Sequence, residues 1–543
     1  MRRIRTEDVP TTIVDRLVNY FDPIKGQRRF RSRAAMALSG AYVGARKDRR
    51  ATQNWRASDG SADADFLPDQ ATLRDRSRDA ARNNALGCGA INTNVTSVVG
   101  TGLSLQSAID AQTLGLTQDE AEDWQAATER EFRLWAASPA ACDAARTLHF
   151  YALQALVFRS TLESGDCFVS LPMIPHPASI YSLKLNVIEA DRVSNPLGKP
   201  QTDELAGGVR RGPMGEPISY FVQRTHPGSI YSRSSVWDEV AAFGSQTGRR
   251  NVLHLYDKLR PGLSRGVPYL APVLEHLREI STYTEAEIRA AVVSGMFTAF
   301  VTTESGSGLE VDPSAPSGSA LPGSDIKMGY GAIVDLGPNE DIKFASPARP
   351  NTAFGPFLDY MCQYTGVALN LPKEVLLKYF TASYSAARGA ILEAWRYFNC
   401  RREWLAMMFC QPVYEAWLEE AIALGRIEAA GFFDDPVIRA AYSYAEWKGD
   451  APPEIDPLKA AIAAKMLVDE DLSTRTEQTT RLTGGDFATN VSRRQREEEQ
   501  RREAGLGAPA AGVALARSDP ASDNGGSGAD DTTEDAPEEA DKS

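Results

Sequence analysis

Long apolar runs are missing from this chain. Nowhere do 18 or more apolar residues follow one another, so no membrane-spanning helix is expected. The N-terminal arginines have no apolar segment behind them, so a secretory signal is not expected either. Cysteine is scarce: six residues, at 88, 142, 167, 362, 400 and 410, form no CxxC pair. They read as reduced, mostly buried thiols rather than a disulfide framework. The five histidines include none at ligand spacing from another His or Cys, which leaves zinc without a site. Motifs of catalysis are missing too. A phosphate-cradling Gly-x4-Gly-Lys-Ser/Thr loop is absent, and Gly198-Lys199 is followed by Pro200, which has no N–H to offer. Neither HExxH nor GxSxG occurs. Asp469-Glu470-Asp471 has nothing around it to complete a two-metal site and reads as a solvated helix turn. Asp63-x-Asp65 reads as an exposed loop, and His254 and His276 as packing histidines. No catalytic, metal or cofactor residue is assigned, and an enzyme is not expected.

What is present is the composition of a globular protein, 43% hydrophobic and 24% charged, in a chain of 543 residues that is too long for one core. Two to four domains are expected. The net charge of −13 is unevenly spread. Residues 1–50 carry 13 Lys/Arg against 5 Asp/Glu, residues 507–543 carry 2 against 9, and the body between is acidic. A static DNA binder would show a basic body, which trades counterions for phosphate contacts. An acidic body suits a conduit, where adhesion to a moving polyanion would be a defect.

Residues 1–65 read as a flexible basic arm with one short amphipathic turn at Ile13, Leu17 and Tyr20-Phe21. Leu73 to Val99 reads as one helix stopped by Gly100 and Gly102. A helix after Thr117 puts Trp124, Thr128, Phe132 and Trp135 on one face, and Tyr151 to Leu162 is a further apolar helix. Strands are expected at 168–171, 183–188, 218–222 and 252–256. From Tyr269 to Phe300 apolar residues recur at three- and four-residue steps, the pattern of a helix of about eight turns that wants a neighbour along its length. A Ser/Gly/Pro-rich loop at 303–324, strands at 332–336 and 342–344, and a helix from Pro350 to Gly366 follow. Ile391, Trp395, Phe398, Leu405, Met408, Phe409 and Trp417 then mark a long helix with Pro412 as its kink. Asp456-Pro457 opens a last helical region, Arg493 to Glu503 is laced with i,i+4 charge pairs, and the chain beyond Leu506 is too polar to pack.

Four segments carry a resemblance. They are Arg78-Asp79 to Val98-Val99-Gly100 with Arg82-Asn83-Asn84 at its centre, Ile188-Glu189-Ala190-Asp191-Arg192-Val193-Ser194-Asn195-Pro196, Tyr384-Ser385-Ala386-Ala387-Arg388 running into Trp395-Arg396-Tyr397-Phe398-Asn399-Cys400-Arg401-Arg402, and Ala416-Trp417-Leu418-Glu419-Glu420-Ala421-Ile422. In this order the chain resembles the lambda-type family of tailed-phage portal proteins, the rings at one capsid vertex through which DNA is packaged and ejected. The resemblance covers roughly residues 66 to 480. It implies an α+β portal-type subunit: a flexible arm at 1–65, a mixed α/β wing at 66–267, a stem helix at 268–300, a small β clip at 301–349, a second stem helix at 350–366, a tunnel loop at 367–385, a wing long helix and following segment at 386–450, a helical C-terminal crown at 451–506 and an acidic disordered tail at 507–543. It implies a head-to-tail dodecameric ring. The implied partners are the terminase large subunit, head-completion and tail-connector proteins, the major capsid protein and double-stranded DNA read without regard to sequence, with no membrane. The implied setting is the virion of a phage or prophage, assembled in the bacterial host cytoplasm.

Lys373 and Lys378 lie in the tunnel-loop stretch. They are either ordinary exposed lysines or a belt of charge facing the lumen, where weak phosphate contacts guide a duplex without locking it. Arg388, Trp395, Arg401 and Arg402 are candidates for the subunit interface, since arginine suits bidentate interfacial pairing. Arg388, Arg401 and Arg402 could pair with Glu393, Glu403 or the neighbouring subunit, with DNA contact as the alternative, and Trp395 could belong to the core. Two rival readings stay open: a minor capsid or adaptor protein without a channel, and a phage nuclease with an unfamiliar site.

Overall fold

The structure, a computed structural model, describes residues 13–38, 59–231, 235–295, 299–303, 340–344, 352–380, 383–454 and 456–506, with a few single positions between 45 and 57. The expected loop at 303–324 beyond Thr303, the strand at 332–336 and the tail beyond Leu506 lie outside them. By its internal contacts the chain forms two units, Met1–Asp450 and Ala451–Ser543.

Local polar chemistry sets where the helices of the first unit begin and end. The stretch expected to be one helix from Leu73 to Val99 is two, Gln70–Asn83 and Ala85–Val98. Asn84 divides them: its backbone is extended (φ −108°, ψ 124°), and its side chain accepts the Gly87 N–H at 2.9 Å as an N-cap. Its amide group also donates to Leu277 O and Ser281 Oγ, so the break is tied to a helix nearly 200 residues away. Asp63-x-Asp65, expected in a loop, lies in the short helix Ala62–Phe66. Within the region expected to be a flexible arm, residues Ile13–Phe21 and Pro23–Leu38 are helical.

Helix Gln118–Ala137 opens with a reciprocal capping box between Thr117 and Glu120. Its Phe132 sits at the centre of a ring cluster, with Trp417 at 5.0 Å, Trp135 at 5.5 Å, Phe150 at 5.6 Å and Tyr414 at 5.8 Å between centroids, mostly edge to face. Phe150 comes from helix Phe150–Ser164, and Tyr414 and Trp417 from helix Gln411–Ala423. The last helix continues from Tyr384–Leu405 through a π turn at Ala406–Cys410. Pro412 has no N–H to give the turn before it, and the Gln411 N–H reaches back five residues to Ala406 O instead of four. Where a kink at Pro412 is expected, the helix runs through this widened turn. The chain then returns to its beginning: Ala445–Lys448 pairs antiparallel with Ser104–Ser107, setting Trp447 opposite Leu105 and beside Phe132.

Two larger antiparallel sheets lie in the same unit. One has Asp166–Ser170 between Asn186–Ile188 and Val252–Tyr256. The other runs Leu205–Ala206, Val209–Arg211, Pro217–Gln223 and Trp237–Ala241 in chain order. The regular pairing expected over 183–188 is confined to 186–188, with isolated bridges from Leu183 and Leu185. Arg265 joins the first sheet to the loop that leads into the second. Its two bonds to Asp166 engage both carboxylate oxygens, and its remaining N–H groups donate to Val193 O at 2.7 Å, Gly207 O at 2.6 Å and Ala190 O at 2.9 Å. All five donors are used, and the guanidinium also lies 5.0 Å over the Phe168 ring. The approach depends on glycine. A Cβ on Gly266 would lie 1.9 Å from Gly165 O, and Gly165 holds φ at +90°.

After the 3-10 turn Ala271–Val273, helix Leu274–Gly295 leads to strand Ala299–Thr303, which pairs antiparallel with Glu340–Phe344. The helix expected to reach Phe300 therefore ends earlier, at Gly295, and Phe300 is in a strand. Helix Phe354–Ala368 runs back beside it, with Tyr283 touching Phe354 and Phe357. The described residues of the second unit form three helices, Pro457–Asp469, Arg475–Thr483 and Phe487–Glu503. Asp456 caps the first and Pro457 occupies its first turn.

Two outcomes follow for the buried charges. Replacing Arg265 by Ala leaves Asp166 as an uncompensated buried carboxylate, which costs about 3–5 kcal/mol. Arg265→Lys keeps the charge but not the five-pronged donor set, so its loss should fall between those of Ala and wild type, read by urea unfolding. Burial also pulls the His254 imidazole below its ordinary value of 6.5, partly offset by Asp166. A lowered folded value means that the unfolded chain binds the proton first. The stability from neutral His254 is complete above pH 6.5 and declines as pH falls below it. Between pH 7.5 and 5 the melting temperature of His254→Gln should fall less steeply than that of wild type.

Candidate functional site

The residues that define the recognisable segments are fasteners. Arg78 bonds Ser164 Oγ at 3.1 Å and the carboxylate of Asp191, whose other oxygen takes Arg74 at 3.2 Å. Burial works against the charged Asp191, but the two arginines hold its carboxyl below the usual range. Arg192 donates to the carbonyls of Gln223 and Arg224, and Asn195 bonds the backbone of Lys199 and Gly208. Glu420 accepts the N–H groups of Ser182 and Leu183 at 2.6 and 3.0 Å, and Glu419 pairs with Arg439 at 3.2 Å. Apart from the local Asn195–Lys199 bond, these contacts join parts of the chain that are separated in sequence.

Four candidate interface residues have definite places. Trp395 is 9% exposed and belongs to the main core. Arg402 lies 5.3 Å over its ring and donates to Val98 O and Ser97 O at 3.1 and 3.0 Å, closing the C-terminal turn of helix Ala85–Val98. Arg401 pairs with Asp257 at 2.9 Å and stacks 4.4 Å over Trp404. Arg388 is exposed on the first turn of helix Tyr384–Leu405, where Ser383 is the N-cap. Arg401 and Arg402 are thus engaged inside the subunit, next to Trp395, while Arg388 stands apart from them.

The lysines lie on a tightly held loop. Tyr269 donates its hydroxyl to Leu369 O, and the Leu371 N–H returns to Gly366 O at 2.9 Å. A Cβ on Gly366 would lie 2.4 Å from Leu371 O, so the fold-back requires glycine. Pro372 O accepts from Val375 and Leu376 and opens the short helix Lys373–Leu377, which buries Leu376 against the core. The stretch expected to be a tunnel loop thus contains a helical turn. Lys373 pairs with Asp359 at 2.8 Å, which holds its ammonium above the usual range. Lys378 ends the turn in the left-handed region (φ +54°) and is exposed, with no ion pair among the described residues. Tyr379, Phe380 and Tyr384 beside it are exposed too. On the preceding helix Phe357, Tyr360, Tyr364 and Val367, spaced three, four and three apart, are 48 to 74% exposed.

The one constellation with the look of acid–base chemistry is Asp166, His254 and Arg265. His254 Nε2 is 3.2 Å from Asp166 Oδ2, and its ring is stacked between Phe168 and Tyr256 at 4.2 and 4.3 Å. Burial opposes the Asp166 charge, but Arg265 and the hydrogen bonds hold its carboxyl far below the usual range. All three side chains are nearly inaccessible, Arg265 spends its five N–H groups and Asp166 both oxygens within the subunit, and the His254 ring is closed between two aromatic rings, so none of the three is open to a substrate. His254 is legible in the sequence as a packing histidine, whereas its partners Asp166 and Arg265 are not among the expected residues. The signal was a charged residue entering an apolar strand, Asp166-Cys167-Phe168-Val169, and an arginine placed next to a glycine. All six cysteines are free, and burial pushes the Cys142 and Cys167 thiols up to about 12, away from thiolate chemistry. Among the described residues no three His, Cys, Asp or Glu side chains converge as metal ligands.

Asp63 and Asp65, read as solvent-exposed, are engaged. Asp63 pairs with Arg211 at 3.0 Å and accepts from Ser264 N and Oγ, and Asp65 pairs with Arg260 at 2.7 Å.

The sequence model of the family described as phage portal protein, lambda family, matches residues 48–402. Portal protein B of Escherichia phage lambda is 23% identical over 481 residues, covering 84% of this chain and 89% of that protein. The portal protein of Escherichia phage N15 is 24% identical over 479 residues, with the same coverages. Among solved structures, a chain from the neck of a native GTA particle computed with C12 symmetry aligns over 76% of this chain and 93% of its own, at 12% identity and a TM-score of 0.41.

Proposed function

This chain belongs to the lambda family of phage portal proteins, and from that membership we propose that its copies close into a dodecameric ring whose channel carries double-stranded DNA during packaging and ejection. The observation that supports ring closure best is the exposed stripe Phe357, Tyr360, Tyr364 and Val367. Phe357 touches Tyr283 and Tyr364 touches His276, yet among the described residues all four side chains keep 48 to 74% exposure, and an apolar face of this kind marks an association surface. Ile288 and Val292, exposed on helix Leu274–Gly295, extend the same apolar character to its neighbour. In this reading the two helices are the stem, the paired strands Ala299–Thr303 and Glu340–Phe344 belong to the clip, residues 66–267 and 386–450 form the wing, and 451–506 form the crown.

The loop after the second stem helix supplies the channel lining. Lys373 is neutralised within the subunit by Asp359, so Lys378 is the lysine that brings net charge to the lumen. Repeated around a ring, one exposed ammonium per copy makes a belt that attracts phosphate without reading bases. An acidic body keeps the rest of the wall from holding the duplex. The role is structural, and the motor is a separate protein. The terminase large subunit, head-completion and tail-connector proteins and the major capsid protein are the partners that this role calls for, in a particle assembled in the host cytoplasm.

Two measurements test the reading. Tyr360→Asp with Tyr364→Asp places charge on the stripe. It should leave the helical circular dichroism intact and shift the protein from rings to smaller species in sedimentation velocity; unchanged rings would remove the stripe from the interface. Lys378→Glu should preserve ring assembly and impair DNA filling in a complementation assay, with Lys373→Glu less harmful because that charge is already paired. Phosphate attraction is screened over about 10 Å at 0.1 M salt, so only residues close to the duplex can matter. Normal filling by Lys378→Glu would mean that this lysine does not line the channel.

A further inference from the structure

The helical pair near the N-terminus has an apolar face that the described residues leave exposed. In Ile13–Phe21 the residues Val14, Leu17, Val18, Tyr20 and Phe21 fall within one continuous arc at helical spacing, opposite Asn19. Tyr20 and Phe21 are 82 and 80% exposed, and Val14, Leu17 and Ile24 are exposed as well. The buried hydrophobic core of the described residues begins only at Ala62. The pair is nevertheless a defined element. Asp22 caps the second helix through the N–H groups of Ile24 and Lys25, and a Cβ on Gly26 would lie 2.6 Å from Asn19 Cα, so the two helices meet closely. Arg16, Lys25, Arg28 and Arg29 are exposed around it.

We propose that this helical pair docks on an adjacent copy of the same chain in the ring, with Leu17, Tyr20 and Phe21 as its apolar anchor and its basic residues against the neighbour's acidic body. Two features favour this occupant. Residues 1–50 are strongly basic while the body that each neighbour presents is acidic, so the charges are complementary. The 23 residues between Leu38 and Ala62 can span up to roughly 75 Å when extended, so the pair can reach beyond its own subunit. Within a ring the neighbour is tethered nearby, at an effective concentration on the order of millimolar, and modest contacts suffice. DNA is a poorer occupant, because phosphate contacts would leave the aromatic face in water. The inference rests on the ring of the preceding section.

The test replaces Phe21 by the photo-crosslinking residue p-benzoylphenylalanine in the full chain. Ring formation is checked first by mass photometry. If no rings form, the ring reading falls and the arm proposal with it. When rings are present, irradiation should give a covalent species of twice the 59.1 kDa chain mass on a denaturing gel. The same probe at Met214, exposed elsewhere, should give severalfold less of it. Combining Arg16→Glu, Lys25→Glu and Arg28→Glu should lower the Phe21 adduct severalfold while rings persist. Intact rings with only intrachain adducts, or with none, would overturn the arm proposal alone. So would rings that float with phosphatidylglycerol vesicles through this face while giving no interchain adduct.

Discussion

A guanidinium buried with all five N–H groups bonded fixes the position of everything it touches. Arg265 does this for the β part of the subunit. It reaches Asp166 on the central strand of one sheet and three carbonyls of the 190–207 segment that leads to the other. Taking both charges out of water costs several kcal/mol per ion, and only complete pairing repays it. The cost is also what makes the arrangement specific, because any slip of the loop would leave a donor unmet. The Gly165–Gly266 contact, the His254 stack and the Asp191 bridge to Arg74 and Arg78 follow from the same placement.

This use of polar residues accounts for the charged clusters among the described residues. In an active site, buried charges face a cavity and keep capacity for a substrate. Here Arg78, Asp191, Arg192, Asn195, Arg402 and Glu420 spend it on backbone groups and on one another. The segments by which the family is recognised are therefore the ones that hold distant parts of the subunit in register. For a ring member, an exact subunit shape is itself functional, since a small error in one copy accumulates around the closure.

Local signals were legible in the sequence. Thr117 with Glu120, and Asp456 with Pro457, announced helix starts because capping is decided within four residues. The strand at Val252–Tyr256 was visible because its apolar run has clear ends. Features set by distant partners were not legible. Ser104–Ser107 and Ala445–Lys448 are short and carry no strand pattern, yet they pair across 344 residues because the aromatic core brings them together. The break at Asn84 was hidden in a helical run, since its cap on Gly87 is joined by contacts with Leu277 and Ser281 that lie nearly 200 residues away. The same limit held for the candidate residues. Their types could be named from the sequence, but the turn that exposes Lys378, and the two carbonyls that engage Arg402, depend on tertiary placement.

The central claim is that copies of this subunit close into a perforated ring through the faces left apolar here. Single-particle electron cryomicroscopy of the purified full chain tests it most directly. The account predicts closed rings with an open axial channel, with Phe357, Tyr360 and Tyr364 buried between neighbouring copies and Lys378 directed at the axis. Monomeric particles at high concentration, or rings in which those aromatics remain in solvent while Lys378 faces outward, would contradict it.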